Sequence, residues 1–189
     1  MLFRSQLVAQ AEQQAPVDDA VHALRQRHVE LAQALLTPDA AAAYVAELDR
    51  DVQDVVSILR AVRITRSASR VIRDLISGFG EIWSTRAFAG FLAARGRRPG
   101  PVRWVDARDW VRVDWSALGP SVRWEESRAS ASAGVPADAA ATLIITGFIA
   151  RTADGLQTTL GRNGSDFSAS IMGDLLDASE IVKIGRAHV

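Results

Sequence analysis

A strand-like run that passes through a glycine-flanked basic turn into a helix limits the folds open to this chain more than any other feature. Thr142-Leu143-Ile144-Ile145-Thr146-Gly147-Phe148-Ile149 is short, apolar and β-branched, the pattern of a strand buried inside a covered sheet. Residues 152–157 read as a polar turn. The stretch Thr158-Thr159-Leu160-Gly161-Arg162-Asn163-Gly164-Ser165-Asp166-Phe167-Ser168-Ala169 then sets a cationic turn directly before a helix expected over Asp166 to Asp177.

The residue types in that turn suit an anion. Gly161 and Gly164 allow backbone angles and close approaches that a side chain blocks. Arg162 adds a forked donor matched to a carboxylate or a phosphate. Ser165 is expected to cap the helix, whose free N–H groups and positive dipole end then face whatever Arg162 holds. The same spacing also serves as a plain strand-to-helix connection.

Two further segments carry chemistry-bearing residues. Gly78-Phe79-Gly80-Glu81-Ile82-Trp83-Ser84-Thr85-Arg86 reads as a glycine-rich entry to a helix that continues through Phe88 and Leu92 and ends near Gly96. Glu81 is expected in its first turn, where the helix dipole favours a carboxylate, so a purely structural helix-start acid accounts for it as well. Val102-Arg103-Trp104-Val105-Asp106-Ala107-Arg108 reads as a strand with a turn after it.

The first third is helical. Residues 6–36 form one or two helices broken near Pro16, and Thr37-Pro38-Asp39 turns the chain into a long helix from Asp39 to about Ile64. In that helix Val45, Leu48, Val52, Val55, Leu59 and Val62 recur at spacings of three and four and define one apolar stripe. The preceding helix, carrying Val21, Leu24, Val29, Leu31 and Leu35, is the expected partner, giving a helical hairpin laid on one side of a sheet. The stripe persists for too few heptads to make a free-standing coiled coil.

Composition excludes several function classes. The chain has 189 residues, 48% of them hydrophobic, and a formal net charge of zero, so it can build one domain with a core and has no basic excess to direct it to nucleic acid. It has no cysteine, hence no disulfide and no cysteine nucleophile. No apolar run approaches membrane-spanning length and no secretory signal is visible, so the cytoplasm is the expected location and no membrane partner is expected. His22 and His28 lie six apart on a predicted helix, off any common face, and read as surface residues; no metal ligands are expected. Trp104, Trp110, Trp115 and Trp124 cluster with Arg103, Arg108, Arg112 and Arg123, but Asp106, Asp109, Asp114, Glu125 and Glu126 interleave with them. Such alternation of sign argues against stacking on nucleic acid and for core and edge packing of strands. Residues 127–141, rich in Ala and Ser, read as a loop plus a short helix.

The Gly161 to Asp166 turn with its upstream strand, the Gly80-Glu81 segment and the Asp106-Ala107-Arg108 turn together closely resemble the corresponding segments of aspartokinases. The likeness is strongest to the kinase part of the bifunctional aspartokinase/homoserine dehydrogenases, which carry a comparable helical insertion; Arg27-His28-Val29-Glu30 resembles a stretch of it. The resemblance implies an α/β fold, part of an amino-acid-kinase-like three-layer α/β/α sandwich with an N-terminal helical hairpin insertion. It implies phosphoryl transfer from ATP, with Mg2+, to the β-carboxylate of L-aspartate, giving 4-phospho-L-aspartate in the first step of lysine, threonine and methionine biosynthesis. It also implies a homo-oligomer for the intact parent. Arg162 and Asp166 then stand at the reacting centre, with Arg162 clamping a carboxylate and Asp166 orienting substrate and cations. Glu81 would face the substrate ammonium, Phe148 would wall the pocket, and Ser165 would hold a carboxylate or phosphate oxygen. Gly161, Gly164 and Ser165 would cradle the cofactor.

The chain departs from the family's pattern at both ends. Aspartokinases open on a strand ending in Lys-Phe-Gly-Gly-Thr-Ser, and no such segment occurs in this sequence. After the last helix the family continues into Ile-Trp-Thr-Asp-Val-Asp-Gly, whereas here Ala178-Ser179-Glu180-Ile181-Val182-Lys183-Ile184 leaves the pattern. The resemblance therefore covers an interior piece, residues 6–182, with a helical subregion over 6–66 and an α/β part over 67–182, and the piece alone is expected to be inactive. Ile184-Gly185-Arg186-Ala187-His188-Val189 is what ATC GGA AGA GCA CAC GTC encodes, a sequencing-adapter string, and Met1-Leu2-Phe3-Arg4-Ser5 matches GTG CTC TTC CGA TCT, its counterpart. Residues 1–5 and 183–189 are therefore expected to be foreign. Two other readings stay open: another enzyme of the same fold with a different substrate, and a non-catalytic helical interaction module.

Overall fold

A computed structural model describes residues 2–96, 100–116, 119–136 and 140–183. The expected foreign termini thus fall outside the described residues at Met1 and 184–189, as do residues 137–139 of the predicted Ala/Ser-rich loop. In chain order the elements are α1 (Leu2–Glu12), α2 (Asp18–Leu35), α3 (Pro38–Thr65), α4 (Arg70–Arg95), β1 (Val102–Val105), α5 (Ala107–Trp110), β2 (Arg112–Ser116), β3 (Gly119–Val122), α6 (Trp124–Gly134), β4 (Thr142–Ile145), β5 (Ile149–Thr152), β6 (Gln157–Thr159) and α7 (Gly164–Leu175). Two compact units result, one of residues 1–104 with 138–144, the other of residues 105–137 with 145–189.

The first unit is built on α1 to α4, which pack on one another. Local signals set the helix ends. Thr37 caps α3 by accepting from the Ala40 amide, and Pro38 occupies a first-turn position where its missing N–H costs nothing. Arg66, in the left-handed region at φ 56°, closes the C-terminus by donating its amide to the Val62 carbonyl. The 28 residues between make a rod about 42 Å long at 1.5 Å per residue. The expected stripe is the buried face: Leu48, Val55, Leu59 and Val62 are buried together with Ala41 and Tyr44, while Val45 and Val52 are half-buried at its margin. Each fully buried Leu or Val in that row contributes roughly 1.5–3 kcal/mol relative to exposure. The α2–α3 hairpin is present, and it packs against α1 and α4 as part of a helical bundle.

α4 corrects one expectation. It starts at Ser69, whose Oγ accepts from the Ile72 amide at 3.3 Å, and runs unbroken through Gly78 and Gly80 to Gly96, its left-handed C-cap. Glu81 therefore lies in mid-helix and not in a first turn, out of reach of the dipole argument. A helical glycine costs about 1 kcal/mol relative to alanine. Burial of Ile76, Phe79, Ile82 and Trp83 around the two glycines outweighs that cost.

His28 is also corrected: it is half-buried and not a free surface residue. Its ring meets Trp83 edge-on at 5.3 Å, and its Nδ1 lies 2.8 Å from the Tyr44 hydroxyl. The Tyr44 hydroxyl also donates to the Trp83 carbonyl at 3.2 Å, so one phenol links α2, α3 and α4. Burial pushes the Tyr44 hydroxyl well above the ordinary tyrosine range, keeping it a neutral donor. Asp51 completes the cluster, accepting from Trp83 Nε1 at 2.8 Å and from Arg86 at 3.1 Å.

In the second unit β2 is central: it pairs antiparallel with β3 and parallel with β5, and β5 pairs antiparallel with β6, giving the order β3-β2-β5-β6. β1 and β4, most of whose residues belong to the first unit, form a separate two-stranded pair. The single strand expected over 142–149 is thus two shorter ones separated at Thr146 to Phe148, and β4 is half-buried along its length instead of fully buried. Asp106 caps α5 by accepting from the Arg108 amide at 2.9 Å, which makes the Asp-Ala-Arg turn a one-turn helix. α6 begins at Trp124, ahead of the expected loop, with Glu125 and Glu126 in its first turn. The tryptophans take packing roles: Trp110 is buried against Gly134, Trp115 Nε1 donates to Thr158 Oγ1 and Trp104 Nε1 donates to Thr85 Oγ1 at 2.9 Å, while Trp124 stays exposed.

Candidate functional site

The strand-to-helix turn of the second unit gathers most of the predicted site residues. Leu160, at the end of β6, donates its amide to the Phe148 carbonyl at 2.7 Å and pins the turn to the start of β5. Gly161 then takes φ 74° and Asn163 φ 60°, and the Gly164 amide closes the turn on the Gly161 carbonyl at 3.1 Å. Two left-handed positions in three residues need glycine or asparagine, the types present. The helix begins at Gly164, two residues earlier than predicted, and Asn163 occupies the cap position without a side-chain bond. Ser165 is therefore not the cap; it sits within the first turn of α7 with its side chain exposed.

That correction improves the site as an anion cradle. A side-chain cap would consume an amide of the first turn. Without one, the amides of Ser165 and Asp166 have no bonding partner among the described residues. Arg162 is exposed beside them and forms no ion pair among the described residues. A Cβ built on Gly161 meets nothing within 4 Å, so the backbone there is open to close approach. The opposite holds at Gly164, where a Cβ would stand 2.7 Å from the Phe148 ring. Gly147 lies against Ser165, with a built Cβ 3.7 Å from its Cα and Oγ.

Gly161, Arg162, Gly164, Ser165 and Asp166 thus belong to one turn and its helix start, and Phe148 lies in the same unit beside them. Phe148 supports the turn from beneath: it is 7% exposed, with its ring under Gly164. Asp166 is exposed in the first turn of α7. Glu81 belongs to the helical unit, half-buried on α4, and its carboxylate forms no ion pair or hydrogen bond among the described residues. Residues that sequence reasoning missed are Thr146, whose buried Oγ1 accepts from the Ala107 amide at 2.8 Å, and Ser168, whose buried Oγ lies inside the cradle's support. The signal for Ser168 was its place four residues after Gly164, where a serine hydroxyl reaches the preceding turn's carbonyl.

The donor set fits a carboxylate or phosphate oxygen: a forked guanidinium, two free amides at a helix start and an unobstructed glycine. For a divalent cation the fit is different. Among the described residues no group of three or more His, Cys, Asp or Glu side chains could hold a metal, and Asp166 offers a single exposed carboxylate. No helix among the described residues is long and apolar enough to cross a membrane.

Known proteins share this architecture and sequence. Bifunctional aspartokinase/homoserine dehydrogenase 2, chloroplastic, of Arabidopsis thaliana is 33% identical over 163 residues, which is 86% of this chain and 18% of that protein. Bifunctional aspartokinase/homoserine dehydrogenase 2 of Escherichia coli K12 is 28% identical over 158 residues, which is 84% of this chain and 18% of the relative. The structure of E. coli aspartokinase III in complex with aspartate and ADP superposes with a TM-score of 0.77 at 26% identity, covering 94% of this chain and 38% of that one. This chain thus spans under a fifth of the bifunctional relatives and about two fifths of aspartokinase III. The profile of the amino acid kinase family matches residues 9–185, nearly the whole length, and the chain belongs to that family.

Proposed function

We propose that the chain is the aspartate-binding part of an aspartate kinase, which moves the terminal phosphoryl group of ATP to the β-carboxylate of L-aspartate and forms 4-phospho-L-aspartate and ADP. The observation that carries this reading is the cradle: Arg162, without an ion-pair partner among the described residues, stands beside the free amides of Ser165 and Asp166. It occurs in a chain 26% identical to an aspartokinase whose structure holds aspartate and ADP.

The chemistry asks for positioning more than for a base. A carboxylate is already a nucleophile at neutral pH, and the obstacle is repulsion between two anions. Arg162 answers it by clamping a carboxylate of aspartate bidentately, a task for which guanidinium geometry is suited. The Ser165 hydroxyl and the first-turn amides take a second anionic oxygen, aided by the positive end of α7. Asp166 orients the substrate and cations at the reacting centre. Phe148 fixes the floor under the turn, and Glu81 is assigned to the substrate ammonium by the family resemblance alone. Gly161 gives a phosphate access to the backbone.

ATP and Mg2+ are the cofactors of this reading. With a single carboxylate at the cradle, this chain's residues suit a cation that arrives on the nucleotide phosphates better than one held by the protein. A cation delivered in this way would supply charge withdrawal from the transferring group. We also assign the intact parent a homo-oligomeric state.

The test is aspartate-dependent release of ADP by the chain expressed with its flanking coding sequence. ADP release with L-aspartate, and not with L-glutamate, N-acetyl-L-glutamate or a nucleoside monophosphate, is the expected result. Equal or faster turnover with one of those acceptors overturns the substrate assignment.

A further inference from the structure

Phe148 holds the most unusual backbone in the second unit. Its φ is 69°, a region that bulky L-residues rarely enter. The Ile149 amide bonds the Gly147 carbonyl at 2.8 Å across it, so residues 147–149 form a γ-turn with a positive central φ, a strained type. Strain of this kind persists only where the surroundings over-determine it.

Three contacts hold it. The Leu160 amide donates to the Phe148 carbonyl at 2.7 Å. The Phe148 ring is wedged under Gly164. The third contact is Ser168, 6% exposed, whose Oγ accepts from the Phe148 amide at 2.8 Å and donates to the Gly164 carbonyl at 2.8 Å. One hydroxyl therefore uses both of its capacities to tie the strained turn to the first residue of α7. Alanine at 168 would leave a buried amide without a partner, and such a group costs more than the bond itself is worth.

We propose that Ser168 is a positioning residue: its hydroxyl latches the Phe148 γ-turn to Gly164 and thereby sets where Arg162 and the first-turn amides of α7 meet the substrate carboxylate. The inference rests on the aspartate kinase reading for its substrate, and on the geometry alone for the latch. Ser168 touches no substrate in this account. It acts through Phe148 and Gly164, and its removal weakens aspartate binding while leaving the phosphoryl-transfer step little changed.

Two measurements test it. In the enzyme with its flanking sequence, S168A is expected to raise KM for L-aspartate roughly tenfold with kcat and KM for ATP within about threefold. S168T, whose hydroxyl can bond the same helical carbonyl, is expected to recover most of the loss. Ile171→Val serves as a control for destabilisation of α7 and is expected to leave KM unchanged. An unchanged KM in S168A, or an equal rise in the control, overturns the proposal. In the 189-residue chain itself, S168A is expected to speed hydrogen exchange at the Phe148 amide at least tenfold relative to amides of α3. Unchanged exchange there overturns the latch. If the wild-type enzyme releases no ADP with aspartate, the functional reading falls, and the exchange result still decides the latch.

Discussion

In the helical unit, long helices satisfy their own backbones, and mostly half-buried polar side chains join helix to helix: Asp51 of α3 binds Trp83 and Arg86 of α4, and Tyr44 of α3 bridges His28 of α2 to the Trp83 carbonyl. In the α/β unit the strands are three to five residues long and make few ladder bonds. Single hydroxyls finish the work there. Ser127 accepts from the Arg112 amide at 3.0 Å, Thr146 from Ala107 at 2.8 Å and Ser168 from Phe148 at 2.8 Å, and all three are buried. A buried backbone group must find a partner, so where ladders are short the side chains supply it. The first unit should therefore be sensitive to lost volume, the second to lost hydroxyls.

Leu59→Ala gives the largest effect that comparison predicts. Leu59 is wholly buried on the α3 stripe, and truncation should cost about 2–5 kcal/mol, read by urea denaturation. A loss under about 1 kcal/mol would mean the stripe is not the core of the bundle. Arg162→Ala, at an exposed position, should leave the denaturation midpoint in place while lowering kcat/KM for aspartate roughly a hundredfold, about 2.7 kcal/mol. Retained activity would remove Arg162 from the site.

Thr146→Val keeps the shape and deletes the acceptor, leaving the Ala107 amide buried and unpaired for about 1–3 kcal/mol, whereas Thr146→Ser should stay close to wild type. Equal stability of the Val variant would contradict the rule for the second unit. Acid produces the smallest effect, and it falls on the first unit. Hydrogen bonds from the Ala68 amide and Arg73 hold Glu12 below its ordinary value of 4.5, and Arg25 holds Asp49 below 3.8. Both contribute stability that is present above those values and fades as pH falls through the lowered ones. Glu12→Gln should flatten the acid limb of the stability–pH curve slightly, and an unchanged limb would show that the contact to α4 carries no stability.

The helices were readable because their signals are local and repeated: the three-four stripe of α3, Thr37-Pro38 at its start and Gly96 at the end of α4. The start of α4 was misread because Gly78 and Gly80 look like breakers, and only the burial of Ile76, Phe79, Ile82 and Trp83 shows why the helix passes through them. Ser69 was the usable signal. At the cradle, the glycines and Arg162 declared themselves by type. The first-turn place of Ser165 followed from Asn163 taking the left-handed position, a preference of asparagine that the sequence does contain. Phe148 had no such signal. Nothing in a phenylalanine announces a positive φ, which arises from contacts with Leu160, Gly164 and Ser168 that are 12 to 20 residues away.

Arg162 combines exposure with the lack of an ion pair among the described residues, beside a turn whose backbone is closely held. A guanidinium in that state does not have to release a resident carboxylate before it takes an incoming one, so other oxyanions that fit its fork compete for it directly. Sulfate and inorganic phosphate should then act as competitive inhibitors against aspartate. The apparent affinity for substrate should also fall steadily with ionic strength, without the plateau expected of a site that must first break an internal pair.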